Sequence, residues 1–162
     1  MSKNVFDFAL EFEKEHRSFY EDLYDKTENR SLKKVFKDLA EQEKKHEEVV
    51  LKLQQKEEVN DIESNILPVV KETFDKIASG LPESVLPDDQ VEIYKKAREM
   101  EERTHKFYLE KAEDVESNIK KVFLKLAAEE KKHENILSNL IEFVNKPNTW
   151  LDDAEWYHLE DY

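Results

Sequence analysis

A fifteen-residue pattern occurs twice in the chain, and this internal repeat limits the possible folds more than any other feature. Residues 33–47 read KKVFKDLAEQEKKHE and residues 120–134 read KKVFLKLAAEEKKHE. A weaker match precedes each copy, in the segments EKEHRSFY from Glu13 and EERTHKFY from Glu101. The two halves therefore share one template, which indicates a duplicated supersecondary unit.

Apolar residues recur at helical spacing through both halves, and the 162 residues include only one Gly and four Pro. The pattern predicts four long helices, at residues 3–28, 31–57, 89–115 and 118–144. Phe8 and Phe12 fall on the inward line predicted for the first of them. Polar junctions around Asn29–Ser31 and Glu116–Asn118 offer Asn and Ser as N-caps, so each pair of helices should form an antiparallel hairpin.

The connection between the two pairs is too long for a tight turn. We assign residues 1–145 to one helical bundle, made of hairpins 3–57 and 89–144 and a crossover at 58–88. Within the crossover, a short helix is predicted from Pro68 to Ser79, with Gly80 at its end. This crossover lets the second and third long helices run parallel, so the fold class is an all-α four-helix bundle. The acidic and aromatic tail, 146–162, either caps the bundle or docks on it or on a second subunit.

Charge and composition exclude several functions. The net charge of −13 disfavours nucleic acid and anionic membranes as partners. The chain has neither the apolar run of a membrane span nor the apolar core of a signal peptide, so we expect a cytoplasmic protein. It also contains no Cys, which excludes disulfides and thiolate-bound metal within this sequence. Any metal must be held by nitrogen and oxygen.

Each of the five His residues follows a Glu by three positions, so this pair alone identifies nothing. The pairs Glu43/His46 and Glu130/His133 differ from the others because both lie in the repeated template and on the apolar line of a helix. Counted from the hairpin turn at about 1.5 Å per residue, they lie at the same depth as the Glu that begins the segment upstream. Six side chains should therefore converge: Glu13, Glu43, His46, Glu101, Glu130 and His133.

Four carboxylates inside an apolar bundle must be neutralised, since each is desolvated and all repel one another. The alternative to metal, in which they stay protonated or pair with Lys, is disfavoured because no Lys or Arg recurs on the inward lines. Two divalent cations would cancel the four charges. A mixed set of imidazole and carboxylate ligands suits iron or manganese.

With these residues the chain resembles the ferritin-like di-iron carboxylate proteins, and among them the rubrerythrin-like family, over roughly residues 3–144. That class is defined by one Glu from each of two helices and Glu-x-x-His from each of the other two. The resemblance implies a cofactor of two iron ions, with manganese as the other candidate. By position, it implies these ligands: Glu43 and Glu130 between the ions, Glu13 and His46 on one, and Glu101 and His133 on the other.

Further roles follow from the same resemblance. Tyr20 and Tyr108 would orient the ligand carboxylates, although they could equally be ordinary core tyrosines. Rubrerythrins carry another Glu one turn after the ligand of the third helix, and here Thr104 takes that position. The matching residue of the first helix, His16, is either a satisfied core histidine or an extra ligand or proton donor. His105 and His158 are interpreted as structural.

The function implied is an oxidoreductase that reduces hydrogen peroxide or dioxygen, with a role in oxidative stress. Its catalytic residues would be Glu43, Glu130, Tyr20 and Tyr108. Because the chain lacks Cys, the electrons would come from an external donor, a rubredoxin-like protein or a flavoprotein. We also expect a homodimer. Two alternatives remain: a ferroxidase that handles iron in a cage, and a metal-stabilised sensor or interaction module without turnover.

Overall fold

The structure, a computed structural model, describes residues 4–59, 62, 64, 66–80 and 90–145. Its helices are α1 (Val5–Lys26), α2 (Arg30–Gln54), α3 (Ile66–Gly80), α4 (Val91–Ala112) and α5 (Ser117–Asn145). The described residues contain no strand, and the four long helices end within three residues of their predicted bounds. The predicted all-α class is therefore confirmed. None of the helices in these ranges is long and apolar enough to cross a bilayer.

Local chemistry explains where the helices begin. The Asn29 side chain accepts a hydrogen bond from the backbone N–H of Leu32 at 3.0 Å, as predicted for an N-cap of α2. Asn4 caps α1 in a reciprocal arrangement with Asp7, and each backbone N–H donates to the other side chain. In α3, Pro68 lies in the first turn, where its missing N–H has no intrahelical partner to lose.

The directions of the helices follow from contacts between them. Tyr20 bonds Glu101 while Tyr108 bonds Glu13, so α1 and α4 are antiparallel neighbours. Within each hairpin the chain reverses over a few residues, at 27–29 and at 113–116. Consequently α2 and α4 run parallel, and α3 lies in the connection between them. This is the predicted bundle with a single crossover.

Two apolar layers divide the bundle along its axis. One is built around Phe36, Leu39 and Leu140, and α3 adds Phe74 to it. The other is built around Phe123 and Leu126. Between them, buried polar side chains of all four long helices meet. The apolar layers thus seal a polar centre against water from both ends.

Phe8 corrects one detail of the predicted inward line. Its side chain is 41% exposed, whereas the next residue, Ala9, is fully buried. The buried residues of α1 recur from Ala9 through Glu13 and His16, alternating steps of four and three. Phe12 lies at the edge of this line, where its ring packs edge-on against Phe107 with centroids 5.0 Å apart. The predicted tail, 146–162, lies outside the described residues, so the division into bundle and tail stays a prediction.

Candidate metal centre

The six residues predicted as ligands lie at one level of the bundle, one on each of α1 and α4 and two on each of α2 and α5. None of their side chains is more than about 2% exposed. The level is common to all four helices because both hairpins place their repeated residues at the same distance from the turn. The structure therefore brings together every predicted ligand: Glu13, Glu43, His46, Glu101, Glu130 and His133.

One half of the centre forms around His46. Its Nδ1 atom lies 2.8 Å from Glu130 Oε1, 3.1 Å from Glu13 Oε2 and 3.7 Å from Glu43 Oε2. These four residues each offer one ligand atom, and the four atoms lie within 4.8 Å of one another. That is close enough for one cation to contact all of them.

The other half of the centre forms around Glu101. His133 Nδ1 lies 3.5 Å from Glu101 Oε1 and 2.7 Å from Glu43 Oε1. A second set of atoms within 4.8 Å of one another comes from Glu101, His16, Glu43 and Glu130. Glu43 and Glu130 belong to both sets, so they occupy the positions between two cation sites.

Two buried tyrosines hold the outer carboxylates. The hydroxyl of Tyr20 on α1 donates to Glu101 Oε1 of α4 at 2.6 Å, and that of Tyr108 on α4 donates to Glu13 Oε1 of α1 at 3.0 Å. Burial raises the pKa of both tyrosines well above the usual value, and the neighbouring glutamates raise it further. Both hydroxyls therefore keep their protons and fix one oxygen of each glutamate. A catalytic role for either tyrosine stays a prediction.

The carboxylates of the centre differ in their affinity for protons. Burial raises the pKa of Glu13 to about 7, and the charge of Glu43 adds to this shift. Burial also raises the pKa of Glu130 to about 8, together with the charges of Glu101 and Glu13. For Glu101, burial acts in the same direction, but His16, a hydrogen bond with Glu130 and His133 together outweigh it and hold the pKa well below the usual value. Protons thus neutralise part of the centre when no cation does.

The histidines carry the compensating charge. Burial acts to lower the pKa of His46 and His133, but the surrounding glutamates together outweigh it, with Glu13 the largest contributor for His46 and Glu101 for His133. Both pKa values are therefore raised well above normal. Among the described residues, every ion pair made by the four carboxylates is with a histidine. No lysine or arginine of that part of the chain neutralises them, in agreement with the sequence.

The residues present fit a pair of metal ions. Three buried carboxylate oxygens of the centre have no hydrogen-bond partner: Glu43 Oε2, Glu101 Oε2 and Glu130 Oε2. A buried oxygen without a partner is costly, and a bound cation removes that cost. The donors are carboxylate oxygen and imidazole nitrogen, the set that suits iron, manganese and similar divalent ions.

Comparison with known families agrees with this geometry. A protein-family model described as Rubrerythrin matches residues 4–141. The chain belongs to the rubrerythrin family. A second match to this rubrerythrin model covers residues 92–158, so the second hairpin is matched twice. No curated protein and no solved structure gives a significant match. The resemblance inferred from the repeated Glu-x-x-His pairs is thereby confirmed, and the chain has the ferritin-like di-iron fold of rubrerythrins.

Sequence reasoning left His16 undecided, and it gave Thr104 no part in the site. In the structure the two side chains are in contact, since His16 Nε2 lies 3.1 Å from Thr104 Oγ1 inside the bundle. Their spacing in the sequence could have indicated that both face the site, since each follows the first ligand of its hairpin by three residues. His133 and His105 both lie outside the two sets of ligand atoms. His133 Nδ1 nevertheless lies 2.7 Å from Glu43 Oε1, whereas His105 pairs with none of the four carboxylates in the described part of the chain. His158 lies outside the described residues.

Proposed function

We propose that this protein is a di-iron oxidoreductase that reduces hydrogen peroxide or dioxygen with electrons from an external donor protein. The observation that carries the proposal is the pair of buried ligand sets that share Glu43 and Glu130, in a chain of the rubrerythrin family. Two cations in those sets would be close neighbours. Adjacent ions suit a two-electron reaction better than isolated ones.

The residues divide between two iron positions. Glu13 and His46 would hold one ion, Glu101 and His133 would hold the other, and Glu43 and Glu130 would lie between them. When bound, the two irons supply the electrons, since each alternates between the ferrous and the ferric state. Reduction of hydrogen peroxide to two water molecules consumes two electrons and two protons, which a ferrous pair and solvent or nearby acids would provide.

The protein contributes positioning and exclusion of water. Tyr20 and Tyr108 fix the outer carboxylates by hydrogen bonds, which limits the directions in which Glu101 and Glu13 present their second oxygens. The apolar layers around Phe36 and Phe123 keep bulk water from the carboxylates. Electrons would come from a rubredoxin-like protein or a flavoprotein, because the sequence contains no Cys with which to bind a rubredoxin iron.

The test compares two neighbouring glutamates. Glu130 faces the centre, whereas Glu129, equally buried, accepts a hydrogen bond from the backbone N–H of Ser64 in the crossover. Protein loaded with ferrous iron without oxygen is mixed with peroxide, and oxidation is followed in the near-ultraviolet. We expect rapid oxidation in the wild type and in Glu129→Ala, and a rate on the order of 100-fold lower in Glu130→Ala and Glu43→Ala.

Equal rates in all four proteins would refute the proposal. The size of the particle separates it from iron storage, which requires a cage of many subunits. A particle of one or two chains, each of 19.4 kDa, supports the oxidoreductase, and a closed shell contradicts it. Bound iron that responds to neither peroxide nor dioxygen would instead indicate the sensor or interaction module. The homodimer stays a prediction.

A further inference from the structure

The centre is almost symmetric between the two hairpins, and one position breaks the symmetry. Four pairs of residues have equivalent places in both halves: Glu13 and Glu101, Tyr20 and Tyr108, Glu43 and Glu130, and His46 and His133. One turn after the first Glu of each hairpin, however, α1 has His16 and α4 has Thr104. Both side chains are buried, so the two halves of the centre differ in one potential ligand.

The imidazole of His16 points into the centre. Its Nδ1 atom lies 3.4 Å from Glu101 Oε1 and 3.6 Å from an oxygen of each of Glu43 and Glu130. This nitrogen makes no hydrogen bond, although the side chain is only 1% exposed. A buried nitrogen that lies this close to three carboxylates and has a hydrogen bond to none of them occupies the position expected of a ligand to a shared metal ion.

The other ring nitrogen fixes the orientation of His16. The hydroxyl of Thr104 donates to the carbonyl of Met100 at 3.1 Å, so its oxygen is left to accept a hydrogen bond from His16 Nε2–H. A neutral imidazole with its proton on Nε2 presents the lone pair of Nδ1 to the carboxylates. Histidine ligands are generally oriented in this way, through a hydrogen bond from the second ring nitrogen.

We propose that His16 is a seventh protein ligand and binds the metal ion that Glu101 and His133 hold. This inference rests on the proposed metal centre. It makes the two positions unequal: one has a single imidazole, from His46, and the other has two. The position with two nitrogens should bind cobalt, nickel or zinc more tightly than the other, because imidazole suits these ions and carboxylate alone suits manganese or magnesium.

Proton NMR of the cobalt-loaded full chain counts the histidine ligands directly. Each imidazole bound to Co²⁺ through Nδ1 shows a strongly shifted N–H signal that disappears in D₂O. We expect three such signals in the wild type with two bound Co²⁺, and two in His16→Leu. The control His105→Leu removes the described histidine that pairs with none of the four carboxylates, unlike His16, His46 and His133, and it should keep all three signals.

Two outcomes would overturn the assignment of His16. One is a wild-type protein that binds two Co²⁺ and shows only two shifted signals, a result that does not depend on how the variant folds. The other is a His16→Leu protein that retains three. If the wild type bound no Co²⁺ at all, the proposed metal centre itself would fail, and the inference with it.

Metal affinity gives an independent measurement. In competition with a chelator, the tighter-bound Co²⁺ of the wild type should become at least about tenfold weaker in His16→Leu, while His105→Leu matches the wild type. If His16 were only a core histidine that balanced the charge of the carboxylates, His16→Leu would remove a positive charge close to the bound cation. The affinity for Co²⁺ would then not fall. Unchanged or higher affinity in His16→Leu would therefore contradict the proposal.

Discussion

Metal binding should depend steeply on pH, because cations and protons compete for the same carboxylates. In the metal-free protein the pKa of Glu13 is about 7 and that of Glu130 about 8, and both must lose their protons before they can bind a cation. Raising the pH from 6.5 to 8 therefore shifts both groups towards the binding form. Because both pKa values are raised into this range, the affinity for the cation increases as the pH rises.

The size of the effect follows from these two pKa values. Between pH 6.5 and 8 the two glutamates alone should strengthen the binding of Co²⁺ by roughly 60-fold. Glutamates with the ordinary pKa of 4.5 would contribute nothing in this range. Three histidines with the ordinary pKa of 6.5 would contribute no more than about sevenfold. The raised pKa values of the histidines add to the dependence.

Isothermal titration with a competing chelator, at half-unit steps of pH, measures this dependence. The matched variant is Glu130→Gln, which keeps the shape of the side chain but cannot exchange a proton. Its affinity for Co²⁺ should be lower overall. The factor by which that affinity rises between pH 6.5 and 8 should be roughly 15 times smaller than the factor for the wild type. A wild-type change below about tenfold, or the same change in both proteins, would refute the reasoning.

Three further predictions concern the metal-free protein. Tyr108→Phe removes the hydroxyl that donates to Glu13 and should lower the free energy of unfolding by about 1–3 kcal/mol in urea titrations, where no change would contradict the prediction. Phe36→Ala empties a fully buried position beside the centre and should cost about 3–5 kcal/mol by the same measurement, and a cost under about 1 kcal/mol would contradict tight packing there. The raised pKa values of Glu13 and Glu130 stabilise the fold below pH 4.5, and this contribution is lost as the pH rises through about 7 and 8. The midpoint of thermal unfolding, followed by circular dichroism, should therefore fall between pH 5 and 8, and a rise over that range would be evidence against buried protons.

The sequence predicts the convergence of the ligands because helix geometry is regular. Glu13 precedes its hairpin turn by nearly as many residues as separate Glu43 from that turn, and a constant rise per residue turns equal counts into equal depth. The duplication repeats the same relation around Glu101 and Glu130. Depth in the bundle is therefore readable from the chain, without any knowledge of side-chain packing.

Contacts across the two hairpins are not readable in this way. The position of His16 depends on how α1 is rotated about its axis relative to α4. Adjacent residues of a helix point in different directions, and this difference alone separates buried Ala9 from exposed Phe8. Periodicity locates an apolar stripe only to about that precision. Which oxygen a tyrosine bonds, and which carboxylate keeps a proton, are decided by distances between side chains on different helices.

The crossed hydrogen bonds have an evolutionary consequence. Because Tyr20 reaches Glu101 of the other hairpin and Tyr108 reaches Glu13, neither hairpin by itself contains a complete set of partners. An ancestral protein of one hairpin would have assembled the same constellation only by pairing two identical copies about a two-fold axis. In such an ancestor every substitution would appear twice, and a histidine facing a threonine, as in His16 and Thr104, would require two gene copies that had diverged.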